Sequence, residues 1–154
     1  MLTDAAFSAL VKGEVVVDSV SPALRSEIMS RVLSKNTRPE MVVRRMLHKA
    51  GYRYRLHRAG LPGKPDLVFV GRKKVIFVHG CFWHMHEGCA QARIPKSRVE
   101  FWTTKLRSNK ERDERNLAEL ERLGWQTLVV WECDLQKPNL LEQIRRFLDD
   151  HKRC

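Results

Sequence analysis

The chain has 154 residues, a formal net charge of +11, and charged side chains at 31% of its positions. That length fits one domain with one core, and no run of about eighteen apolar residues offers a membrane span. The opening MLTDAAFSALVKGEVVVDSV lacks the basic start and long apolar stretch of a secretory signal, so the expected compartment is the cytoplasm, with reduced cysteines open to metal binding.

Residues 1–20 carry no periodic pattern and are expected to form a flexible N-terminal arm ahead of a single domain over 21–154. SPALRSEIMSRVL predicts a helix, with Ser21 as its cap and Pro22 in the first turn. A second helix is predicted from about Pro39 through EMVVRRMLHKA. Thr37 and Glu40 have capping-box spacing, and Gly51 is the stop. Val43, Met46, Leu47 and Ala50 give it a core stripe that leaves Arg44, Arg45 and Lys49 exposed.

Between Lys35 and Arg58 the one acidic residue is Glu40, against a basic set that includes Lys35, Arg38, Arg44 and Arg45. Such an excess suits a polyanion, with nucleic acid the leading candidate.

YRYRLH alternates as a half-exposed strand, and GLPGKP is a turn. DLVFV and KVIFVH are predicted strands that could form a hairpin across Gly71-Arg72-Lys73. VEFWTTKLRSNKERDERNLAELERLG reads as a long helix ended by Gly124, its charged middle facing solvent or nucleic acid. TLVVWE scarcely alternates and is placed inside a sheet covered on both faces. A last helix follows Pro138. The order α-α-β-β-β-α-β-α predicts an α/β fold, a mixed central sheet flanked by helices.

Two constellations carry chemistry. Cys81, His84, His86 and Cys89 crowd one Gly-containing loop, and Cys133 closes VVWEC at a strand end. Cys81-x4-His86-x2-Cys89 plus Cys133 would supply the Cys3His donors of a closed structural zinc site, although spacing alone leaves His84 and His86 both open as the imidazole ligand. Asp66 follows Pro65 at the start of a strand and Glu40 lies early in a helix. Phosphodiester hydrolysis needs a divalent metal on hard oxygen ligands and a positioned water, so Asp66 is a candidate magnesium ligand. The bland alternative for Asp66 is a turn cap.

PD followed by a second strand is similar to the PD-(D/E)xK nuclease pattern. Here Phe77-Val78-His79 stand where the carboxylate and lysine would be, which leaves His79 and His84 as the groups for water activation or phosphate contact.

MSRVLSKNTRPE, LPGKPDLVF, VIFVHGCFWHMHEGC, EFWTTKLRSNKERDERN and LGWQTLVVWEC together resemble the very-short-patch repair (Vsr) DNA mismatch endonuclease family from about Ser26 to Leu135. The resemblance implies a restriction-endonuclease-like fold and an enzyme that nicks one DNA strand 5′ of the T in T:G mismatches left by deamination of 5-methylcytosine. It implies Mg2+ as catalytic cofactor on Asp66 and the main-chain carbonyl of Val78. His84 would activate the water, His79 would assist at the phosphate, and Glu40 would support the network of His84 and the water. Structural Zn2+ would lie on Cys81, His86, Cys89 and Cys133. Phe82, Trp83 and Trp102 would form an aromatic wedge, which suits a weakened base pair because unstacking costs least there. Phe101 and Trp102 are adjacent on one helix, so one of the two points outward. Trp125 and Trp131 are expected in the core.

The implied partners are double-stranded DNA with a T:G mismatch and the mismatch-repair proteins. The implied form is a monomer in the bacterial cytoplasm, nucleoid-associated when working. Two alternatives are a related zinc-containing endonuclease of broader mismatch or sequence specificity, and a non-catalytic DNA-binding zinc module.

Overall fold

The computed structural model describes residues 21, 23, 24, 26, 27 and 35–150. The predicted arm over 1–20, the rest of the predicted first helix, and Cys154 lie outside them. Within the described part of that helix, the Leu24 N–H donates to Ser21 Oγ at 3.3 Å, as a cap should.

Helix α1 spans Arg38–Lys49. Thr37 is its extended N-cap and accepts the Glu40 N–H, while the Glu40 carboxylate accepts the Thr37 hydroxyl at 3.0 Å and the Asn36 N–H at 3.0 Å. The expectation that Arg44 is exposed is corrected: Arg44 is only 5% exposed and Glu40 only 3%. Glu40, Val43, Arg44 and Leu47 fall at i, i+3, i+4 and i+7, so the buried stripe includes an acid and a base one turn apart. Arg44 Nη2 donates to Glu40 Oε2 at 2.7 Å, so neither charge is buried alone.

The sheet runs β1 (Arg55–Leu56), β2 (Leu67–Phe69), β3 (Lys74–His79) and β4 (Gln126–Trp131), in that order. The predicted strand over 52–57 contracts to two residues, because Tyr52 and Tyr54 turn their rings edge-on to Phe69 and His57 takes a left-handed φ of 43°. β2 and β3 form the expected hairpin, with Leu67 opposite Ile76 and Lys73 closing the turn at a φ of 53°. β3 pairs parallel with β4, placing Val78 beside Val130 and His79 beside Trp131. The sheet is therefore mixed, as expected.

All six β3 residues are buried, but β4 is mostly half-buried. β4 is an edge strand among the described residues, not an interior one. Its lack of alternation reflects partial cover on both faces rather than a central position.

Alternate β3 side chains feed two cores. Ile76 and Val78 join Val43 and Leu47 of α1 and Leu140, Ile144 and Leu148 of α3 (Leu140–Asp149). Val75 and Phe77 join Leu120 of helix α2 (Val99–Arg122) and Trp125. Buried Lys74 donates to the carbonyls of Phe147 and Asp150, each at 2.5 Å, which satisfies the carbonyls that end α3.

The 24-residue α2 is about 36 Å long. Its middle does not face only solvent. Trp102, Leu106, Asn109, Asp113, Asn116 and Leu120 recur at steps of four and three, and these residues are all buried or half-buried. No helix of the described residues is long and apolar enough to cross a membrane.

Candidate functional site

The parallel register of β3 and β4 sets the site. β3 ends at His79 beside Trp131, so the loop after β3 and the short 3-10 turn Glu132–Gln136 after β4 leave the sheet together. In that loop Met85 and Gly88 adopt φ of 50° and 72°, and the amides of His84, His86 and Cys89 donate to the carbonyls of Gly80, Cys81 and His86. The turns gather Cys81, His86, Cys89 and Cys133, with one ligand atom from each inside 4.8 Å of the others. His86 Nδ1 lies 3.5 Å from Cys81 Sγ and 3.3 Å from Cys133 Sγ.

The structure thus places His86, rather than His84, among the thiols. Burial and the neighbouring sulfurs push the Cys81 thiol up to about 12 and raise that of Cys133 as well. Sulfurs so crowded resist ionising alone, whereas a bound dication would deprotonate them. Three thiols and one imidazole at this spacing could hold a metal ion, and they fit a tetrahedral site. Trp131, expected in the core, lies flat on His86 at 4.1 Å, so it braces this cluster.

The other loop histidine pairs with α2 and His79 instead. His84 Nδ1 lies 2.5 Å from Asp113 Oδ2 on α2, and its ring stacks on His79 at 3.8 Å and 8°. Burial raises the Asp113 carboxyl, but the hydrogen bond and charge of His84 outweigh it and hold the group below its ordinary value. Asp113 is therefore an ionised acceptor, and His84 presents Nδ1–H to it; in the neutral form of the ring, Nε2 is then the nitrogen with a lone pair. Burial and the neighbouring His84 depress His79 to about 3, so its ring is neutral and does not repel an imidazolium stacked on it.

Asp113 was not among the sequence candidates. Its place on the inward stripe of α2 was the available signal, and the charged run around it hid that signal.

Asp66 precedes β2. Its Oδ2 accepts the Val78 N–H at 2.7 Å. The N–H and C=O of one strand residue point to the same side, so the Val78 carbonyl also faces the Asp66 side of β3. Burial lifts the Asp66 carboxyl to about 6, opposed by the Val78 hydrogen bond. A half-buried carboxylate with one backbone donor and an adjacent carbonyl offers the hard oxygens that a divalent cation prefers.

Glu40 does not join the histidine pair as expected. It belongs to a second group with His57 and Asp66. Arg44 Nη2 donates to His57 Nε2 at 2.9 Å, and His57 Nδ1 lies 4.0 Å from Asp66 Oδ1. Burial and Arg44 lower the His57 pKa, so this ring is neutral. His57 was also missed, because its partners come from two other segments, α1 and the residue before β2.

Phe82, Trp83 and Trp102 do cluster, with ring separations of 5.1–6.2 Å. Asn109 on α2 donates to the Trp83 carbonyl at 3.2 Å. Phe82 and Trp83 are half-buried and Trp102 is only 6% exposed. Of the adjacent pair on α2, Phe101 is the outward residue, at 45% exposure. Lys35, Arg38 and Arg45 are exposed, whereas the guanidinium of Arg44 is turned inward.

Residues 17–91 match the family described as DNA mismatch endonuclease Vsr. The chain is 50% identical over 135 residues to the type II nicking enzyme V.XorIIP of Xanthomonas oryzae pv. oryzae, a match covering 87% of this chain and 98% of that one. It is 41% identical over 138 residues to the type II nicking enzyme V.NmeAIP of Neisseria meningitidis, covering 89% and 98%. It is 40% identical over 121 residues to the DNA mismatch endonuclease Vsr of Escherichia coli, covering 79% and 77%.

Two outcomes are expected from this geometry. Because folding raises the Asp66 pKa from 3.8 to about 6, its ionised form opposes folding at neutral pH. The native state binds the extra proton between those values, so this cost is absent below 3.8, grows as pH rises and is complete above about 6. Asp66→Asn should therefore stabilise the protein at pH 7.5 without added divalent cation, by up to about 3 kcal/mol, and by less at pH 5. Urea denaturation at the two pH values measures this. Cys133→Ser should lose bound metal and melt at a lower temperature than wild type, as read by elemental analysis and calorimetry. Unchanged metal content would remove Cys133 from the cluster.

Proposed function

The chain belongs to the Vsr family of DNA mismatch endonucleases, and from that premise we propose that it is a magnesium-dependent, strand-specific nicking enzyme that cuts 5′ of the T in T:G mismatches. The observation that carries the reading is the His84–Asp113 pair stacked on His79, the residue next to Val78, whose N–H donates to Asp66. A carboxylate that fixes an imidazole tautomer and leaves the other ring nitrogen free is the arrangement of a general base.

In this reading Asp66 and the Val78 carbonyl hold Mg2+, which supplies Lewis-acid polarisation and positive charge at the developing phosphorane. His84 Nε2 takes the proton of the attacking water, and Asp113 stabilises the imidazolium that forms. The water oxygen bonds to phosphorus as the bridging P–O bond breaks. His79 packs against the base and assists at the scissile phosphate. Glu40 acts from the far side of Asp66, through Arg44 and His57, rather than through His84.

Cys81, His86, Cys89 and Cys133 hold structural Zn2+, since a closed Cys3His set leaves no open position for chemistry. Phe82 and Trp83 enter the base stack beside the mismatch, with Trp102 as their support. A T:G wobble unstacks more easily than a matched pair, which gives the wedge selectivity. Exposed Lys35, Arg38 and Arg45 contact phosphates, so binding weakens as salt rises. One site on an asymmetric substrate suits a monomer.

A panel of end-labelled duplexes, matched, T:G and otherwise mismatched, tests this with Mg2+ present and cut positions mapped. One nick, 5′ of the T of the T:G duplex, is expected. Asp66→Ala should abolish it while binding to the same duplex persists. Equal cutting of matched DNA would reject the mismatch reading, and cleavage that survives Asp66→Ala would reject the assignment of Asp66.

A further inference from the structure

His57 lies between two carboxylates. Its Nε2 is 3.9 Å from Glu40 Oε2 and its Nδ1 is 4.0 Å from Asp66 Oδ1. The ring is held there with the backbone at a φ of 43°, a left-handed conformation uncommon in residues other than glycine. Such a conformation persists where surrounding contacts fix it.

Those contacts also fix a proton. A guanidinium only donates hydrogen bonds. With Arg44 Nη2 at 2.9 Å, His57 Nε2 must accept, so the proton of the neutral ring sits on Nδ1. That is the nitrogen facing Asp66. Arg44 is itself pinned, with Nη1 donating to Asn36 Oδ1 at 2.6 Å and Nη2 to Glu40 Oε2 at 2.7 Å. The order Glu40, Arg44, His57, Asp66 thus runs from the first turn of α1 to the start of β2.

Glu40, His57 and Asp66 are close enough together to suggest a metal site of their own. Arg44 argues against it. Its guanidinium already engages the Nε2 lone pair and would stand beside any dication bound there, and Nδ1 in the tautomer it selects carries a proton instead of a lone pair.

We infer that His57 is a positioning residue for the metal-binding carboxylate: Glu40 and Arg44 set it as the Nδ1–H tautomer, and through Nδ1–H it orients Asp66 Oδ1 while the Val78 N–H holds Oδ2. The gap of 4.0 Å is longer than a direct hydrogen bond, so the N–H acts as an oriented dipole or through one bridging water. This inference rests on the proposal that Asp66 binds the catalytic cation. It gives Arg44 a task in the interior, in place of the phosphate contact expected from the basic segment.

The test uses the full chain with Mn2+ as the probe, its binding read by electron paramagnetic resonance, and compares His57→Leu, His57→Gln and Asp66→Asn. Glutamine keeps an acceptor for Arg44 and an N–H for Asp66; leucine keeps neither. His57→Leu is expected to bind Mn2+ about 10–100-fold more weakly, His57→Gln to keep wild-type affinity, and Asp66→Asn to lose the site, with the metal content of the Cys/His cluster unchanged in all three. Wild-type affinity in His57→Leu, with binding lost in Asp66→Asn, would overturn the role of His57 alone. Equal loss in the leucine and glutamine variants would also overturn it, because the ring itself would then be a ligand. Mn2+ binding retained in Asp66→Asn would instead overturn the reading on which the inference rests. Nitrogen-15 shifts of the His57 ring in the wild-type protein give a check independent of variant folding: the Nδ1–H form is expected, and the Nε2–H form would contradict the inference.

Discussion

Parallel pairing of β3 with β4 is the constraint on which the rest of the site depends. It places His79 beside Trp131, and so makes two segments about fifty residues apart leave the sheet at one point. Cys133 can reach the loop of Cys81, His86 and Cys89 only because of that register. A slip of one residue would turn alternate side chains to the other face. It would unstack Trp131 from His86 and separate His79 from α2. The geometry of the loop follows from the Cys/His cluster, from the packing of Phe82 and Trp83 on Trp102, and from Asn109 and Asp113 of α2 beside it.

The same end of the sheet concentrates charge where water is scarce. Glu40, Arg44, His57 and Asp66 would each be costly to bury alone. Glu40 and Arg44 neutralise each other, His57 stays neutral, and Asp66 is left as a carboxyl that burial makes reluctant to ionise. A cation at Asp66 would relieve that cost. The site is thus a place where the fold gives up stability that a ligand restores, a pattern common at functional sites. Asp113, hydrogen-bonded to His84, is held ionised, so the two carboxyls near the loop are pushed in opposite directions, which suits the proposed division between cation binding and proton transfer.

Much of this was legible in the sequence. Thr37, Pro39 and Glu40 mark the start of α1, and Gly71 and Gly124 mark the hairpin and the end of α2. The aliphatic run of β3 reads as a buried strand, and the ligand types in its following loop point to the Cys/His cluster that the structure gathers. What failed to read out were interactions between segments. Arg44 belongs to a basic run, yet the i, i+4 partner Glu40 on the buried face draws it inward. Asp113 is camouflaged by charged neighbours that point to solvent, and only its step from Trp102, Leu106 and Asn109 assigns it to the inner face. His57 has no local signature, because Arg44, Glu40 and Asp66 meet it only in three dimensions. β4 has the composition of a central strand but lies at the edge among the described residues, since sheet order depends on pairing partners that composition does not encode.

The Cys/His cluster is expected to hold the loop of residues 80–90 on the sheet end, and with it His84 and the aromatic pair. Hydrogen–deuterium exchange of the metal-loaded protein, before and after chelation, tests this most directly. The amides of His84, His86 and Cys89, which close the loop turns, should exchange faster once metal is removed, while those of β3 remain protected. Unchanged protection of the loop after complete removal of metal would contradict it.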